Sequence, residues 1–196
     1  MKSGCIAAIF VTLLPATADA HLTSTGLGPI YDGLLHFATS PEDLAAVIAL
    51  ALFAGLRGAD QARRVLFVLP CAWLLGSLMG LTHETSTSGA FVPAIFLLGV
   101  GALVVTDVTL PLAATTAATV LLGVVLGHAN GTGMALSLPV ALALIGLAAA
   151  VFVTVALVAA AVVRFAQAWR RIGVRIAGSW IAASGLLLFG WAVRGG

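Results

Sequence analysis

Of the 196 residues, 61% are hydrophobic and only 8% charged, and the mean hydropathy is +1.16, whereas a water-soluble globule needs roughly 25% charge to cover its surface. The composition excludes such a globule and predicts an all-α, polytopic transmembrane helix bundle, because long apolar runs with short polar loops leave room for about six spans of roughly 20 residues. A formal net charge of +2 says little as a sum, and the arginine pairs beside apolar runs fit a topology role better than nucleic-acid binding.

Residues 1–20 combine Lys2, an apolar stretch from Ile6 to Leu14, the helix breaker Pro15 and the small-x-small tripeptide Ala18, Asp19, Ala20. That is the pattern of a cleaved secretory signal peptide, with an uncleaved first span as the alternative. Cleavage after Ala20 starts the mature chain at His21, outside the cytoplasmic membrane, and leaves residues 21–196 as one six-helix transmembrane domain. Cys5 falls in the leader and Cys71 in an apolar run, so no disulfide framework is expected.

Tyr31 to Ala38 reads as a short helix dipping into the outer leaflet, on which Asp32 and His36, four apart, share a face. Ser40, Pro41, Glu42 and Asp43 then read as a helix start, with a capping serine, proline in the first helical position and two acids at the positive end. Spans are expected at Leu44–Leu56, Val65–Leu81, Ala90–Val105, Leu110–Leu126, Leu138–Val163 and Val174–Val193. The first is a run of about 13 residues, roughly 20 Å of helix against a hydrocarbon layer of about 30 Å. With Arg57 anchoring its inner end, the outer end stops below the surface and puts Glu42 and Asp43 at depth, where unpaired charge is costly.

Arg57, Arg63 and Arg64 lie in the first connection and Arg164, Arg170, Arg171 and Arg175 in the fifth, so both are expected to be cytoplasmic. Counting spans from an external N-terminus gives the same topology. Asp32, Glu42, Asp43 and Glu84 then fall outside against Arg194, while seven arginines fall inside against Asp60 and Asp107. All four histidines, His21, His36, His83 and His128, also fall outside.

Outer helix ends repeat one feature. Gly33 precedes His36, Gly80 precedes His83 and Glu84, and Gly127 precedes His128 and Asn130, so small residues would let these ends converge. Singly, each histidine is better explained as an interfacial residue, and each acid beside Pro41 equally well as a helix cap. Together, imidazoles and carboxylates at one membrane face suit a divalent transition metal, with nitrogen favouring nickel, cobalt, zinc or copper over magnesium. The candidate ligands are His36, Glu42, Asp43, Asp32, His83, Glu84, His128 and His21, with Asn130 nearby. Catalysis is not indicated: GxSxG and HExxH are absent, and the chain reads as a non-enzyme. Thr115, Thr116 and Thr119 suggest a polar path, but bonding to their own helix backbone explains them better.

These residues resemble the HupE/UreJ family of small bacterial membrane proteins. The resemblance spans most of the mature chain and rests on the leader followed by His21, on GLLH ending at His36, on the start of the first span, and on Gly127 with His128. Where the family pattern reads HPxxGxDH, His36 matches the first histidine and Glu42 replaces the aspartate. Asp43 stands in place of the second histidine, Phe37 of the proline and Ser40 of the glycine, as in a divergent branch. The resemblance implies a nickel permease or an accessory protein of hydrogenase and urease systems, in the bacterial inner membrane with a periplasmic mature N-terminus. Exchanging an imidazole for Asp43 makes the site harder, which weakens a preference for nickel over manganese or zinc.

A secondary transporter taking up a divalent metal, most of all nickel, is therefore the leading expectation. The alternatives are an accessory protein that binds metal or a partner without moving either, and a purely structural membrane subunit. Expected partners are the metal ion, with no permanently bound cofactor, and the lipid bilayer; a homo-oligomer is left open, and absent Walker motifs argue against ATP hydrolysis.

Overall fold

A computed structural model describes residues 25–82, 91–132, 137–164 and 168–194. The expected leader, His21, and the connection with His83 and Glu84 lie outside the described residues. Those described form seven helices and no strand: α1 Pro29–Thr39, α2 Pro41–Leu56, α3 Ala59–Gly80, α4 Phe91–Thr106, α5 Leu112–Gly131, α6 Leu138–Arg164 and α7 Ala168–Val193.

Local chemistry sets the first three boundaries. Gly28 and Gly58 have φ of 108° and 100°, a region that side chains disfavour, and each stands immediately before a helix. Pro41 opens α2 as expected, with its fixed φ and missing donor suited to the first turn. Ser40 departs from expectation. Its hydroxyl makes no cap on α2 and instead donates backward to the carbonyl of His36, 2.8 Å away, while its N–H bonds to Phe37. The chain bends by 79° there.

Three helix ends also move from their expected places. α3 begins at Ala59, so Arg63 and Arg64 lie on a helix rather than in a connection, and α7 likewise takes in Arg171 and Arg175. Arginine is a good helix former, and its long stem lets the charge reach water from a helical position. α5 runs on to Gly131, which makes His128 and Asn130 helical residues.

α3, α5, α6 and α7 are long and apolar enough to cross a membrane, and α1 with α2 makes a fifth if the bent pair is one span. At 16 residues α4 is a shorter apolar helix, about 24 Å long at 1.5 Å per residue. Against the expected six spans, the described residues hold four helices long and apolar enough to cross, one bent pair and one short apolar helix.

Packing follows small residues. α3 lies on α5 with Gly76 against Val124, Gly80 against His128, Gly127 against Trp73 and Gly131 against Ser77; in each case a Cβ would overlap the opposing backbone oxygen. α4 pairs with α7 through Gly101 against Ala182 and Gly185 against Leu98. α1 pairs with α6 through Gly33 against Ala143 and Gly146 against Ile30. The C-terminal ends of α3 and α5 do converge, whereas Gly33 serves a different pair. Around α2 these three pairs close, and Ala46, Val47, Ala49, Leu50, Ala51, Phe53 and Ala54 are all buried. A helix apolar on every side belongs at the centre. α7 leaves Trp180, Leu187 and Trp191 exposed on an apolar face.

Candidate functional site

The break at Ser40 brings the last turn of α1 beside the first turn of α2, and the end of α5 closes the third side. His36 is half-buried on α1, and Asp43, only 7% exposed, lies two residues inside α2. Asn130 of α5 stands between them. Its Nδ2 donates to Asp43 Oδ2 at 2.9 Å and to the Leu126 carbonyl at 2.9 Å, and its Oδ1 lies 3.0 Å from His36 Nε2. Three helices thus share one chain of hydrogen bonds.

Each group has a reason to be there. Asp43 occupies the first turn of α2, where unpaired amides and the helix dipole favour negative charge. Capping alone does not account for it, because its carboxylate reaches across to α5. The glycines at 127 and 131 bring α5 close against Trp73 and Ser77 of α3, which sets the height of Asn130. Phe37, the residue after His36, is buried and meets Trp73 edge-on, with ring centroids 6.1 Å apart and planes at 83°. That contact fixes the end of α1. Trp73 Nε1 and Ser77 Oγ, both fully buried, have no hydrogen-bond partner among the described residues.

The remaining expected residues are arranged differently. Asp32 is turned to the start of the helix, where its Oδ1 accepts from the N–H and the hydroxyl of Thr25, the latter at 2.7 Å; it does not join His36. Glu42 is exposed at the neighbouring position. His128 is half-buried, with its backbone carbonyl against Gly80 and accepting from Thr132. His83, Glu84 and His21 lie outside the described residues, although the chain leaves α3 beside His128 and Gly131. Among the described residues no three of His, Cys, Asp and Glu stand close enough to hold a metal ion together.

Two polar clusters sit elsewhere. At the other end of α2, Arg57 and Arg171 both pair with Asp107, and Arg175 donates to the Val105 carbonyl at 2.7 Å. Between α3 and α5, Thr115 donates to Gln61 at 2.9 Å, and Gln61 donates to the Leu110 carbonyl at 3.0 Å. Thr116 and Thr119 bond back to Leu112 and Thr115, the ordinary behaviour of threonine in a helix. The Arg57 and Asp107 pairing has a signal in the sequence, because loop charge places both on the same expected side of the membrane.

Chemically, the site offers an imidazole nitrogen and a carboxylate oxygen held in relation by an amide. This donor set suits a borderline divalent cation. No protein of curated function and no solved structure matches the chain. The HupE / UreJ protein family model matches residues 9–188, nearly the whole length, and the chain belongs to the HupE/UreJ family.

Proposed function

We propose that this membrane protein is a permease that takes up a divalent transition metal, nickel first, from the periplasmic side of the bacterial inner membrane. The family is linked to nickel or cobalt uptake and to accessory roles for hydrogenase and urease. One observation carries the reading: His36 and Asp43, from different helices, are joined through Asn130 at a break in the bundle. In the proposal the ion sheds water to His36 and Asp43, with Glu42, His128, His83, Glu84 and His21 as further donors. The six-span topology, with a cleaved leader and inward-facing arginines, is part of the same reading.

The test is accumulation of radiolabelled nickel by cells expressing the protein. His36→Ala and Asp43→Asn should each abolish uptake while the protein stays in the membrane. Full uptake in both variants removes the site.

A second reading, supported by the accessory roles to which the family is also linked, is a protein that holds metal or a partner without passing it on. Purified protein in liposomes separates the two, because binding without flux belongs to the accessory role.

A further inference from the structure

The geometry points to Asn130 as the positioning residue that fixes His36 with its hydrogen on Nε2, leaving the Nδ1 lone pair open to an incoming ligand. The argument starts from Leu126. A backbone carbonyl only accepts hydrogen bonds, so the Asn130 atom 2.9 Å from it is the NH2 group, whatever the charge on Asp43. The second hydrogen of that group reaches Asp43 Oδ2, and the donors of the amide are used up. Oδ1 is then the atom facing His36, and it only accepts. His36 Nε2, 3.0 Å away, must donate. A neutral imidazole has one hydrogen, so Nδ1 carries none.

This is the arrangement by which outer groups orient a metal-binding histidine: one ring nitrogen is pinned so that the other is presented. The use of Nδ1 for a metal rests on the uptake reading above, whereas the tautomer does not.

Nitrogen NMR on histidine-labelled full-length protein in lipid bilayers at mildly alkaline pH reads the tautomer directly. Comparison with His36→Gln identifies the His36 signals among the four histidines. The expected result is a protonated Nε2 and an unprotonated Nδ1. Asn130→Leu should lose this preference, and Asp43→Asn should keep it, because the Leu126 carbonyl alone orients the amide. A hydrogen on Nδ1 in the wild type, or an unchanged preference in Asn130→Leu, overturns the assignment. If the leucine variant does not fold, the wild type and Asp43→Asn still decide it. Added Zn²⁺ should then shift Nδ1 while Nε2 keeps its hydrogen, and metal bound at Nε2 overturns the proposal. No response to Zn²⁺ with the tautomer in place counts against uptake and leaves the role of Asn130 standing.

Discussion

The guanidinium of Arg57 lies 2.7 Å from the carboxylate of Asp107, and only 6% of its side chain is exposed. The guanidinium also stands over the ring of Phe53 at 5.0 Å. Arg57 is therefore tied into the protein at the end of α2, where a snorkelling anchor would have reached for the lipid surface. Asp107 takes a left-handed backbone, φ 53°, which aspartate tolerates better than most residues, and its second oxygen meets Arg171 of α7.

Asp107→Asn should destabilise the protein. Breaking a fully buried ion pair costs about 3–5 kcal/mol, and because the Arg171 side chain is 52% exposed the loss should fall at or below the lower end. Burial pushes the Asp107 carboxyl up, but the hydrogen bond from Arg171, the contact with Arg57 and both positive charges outweigh it and hold it below the ordinary carboxylate value. Its contribution is thus complete above about pH 4 and is lost as pH falls through the lower folded value. Melting temperatures in detergent should separate wild type from variant at pH 7 and converge in acid.

Gly131→Val should loosen the C-terminal end of the α3 and α5 pair, because a Cβ there overlaps the Ser77 carbonyl. Overpacking of this kind costs about 1–3 kcal/mol or more. Gly190→Ala is the control: a Cβ at Gly190 meets nothing within 4 Å, and alanine in a helix is favoured by roughly 0.5–1 kcal/mol. Thermal melts of the two should move in opposite directions.

Asn130→Leu removes the donor to Asp43 and the acceptor for His36 together. Leaving a buried acceptor unmade costs about 1–3 kcal/mol, and more if it is charged, so the melting temperature should drop and nickel accumulation should fall to background.

Ser77→Ala should be neutral or stabilising. The hydroxyl is fully buried without a partner among the described residues, and deleting it removes an uncompensated desolvation cost of about 1–3 kcal/mol. A large drop in melting temperature would show that the hydroxyl has a partner after all.

How legible all this was in the sequence differs from residue to residue. Apolar runs alone located every helix from α2 to α7, and the Tyr31–Ala38 segment matched α1 closely. The polar ends of those helices were harder to place. The apolar run ends at Leu126, so His128 and Asn130 fall just past the expected span, and the glycines beside them read as close-packing positions; Gly127 and Gly131 do pack on Trp73 and Ser77, but within a helix that runs on to Gly131. Ser40 was read as a cap, but the same hydroxyl also lies one turn beyond the His36 carbonyl and donates there. Two partners of equal local merit compete for it, and only the 79° bend decides. His36, Asp43 and Asn130 were all named from composition at the outer ends, yet their joining depends on how α5 is rotated, which glycines opposite Trp73 and Ser77 determine and which no spacing along α5 reveals.

The three groups of the site belong to three different helices. His36 sits on α1, which packs on α6; Asn130 sits on α5, which packs on α3; and Asp43 opens α2. Their hydrogen-bonded chain is whole only while these helices keep their spacing, because a hydrogen bond weakens beyond about 3.2 Å, so the site doubles as a gauge of how the three are aligned.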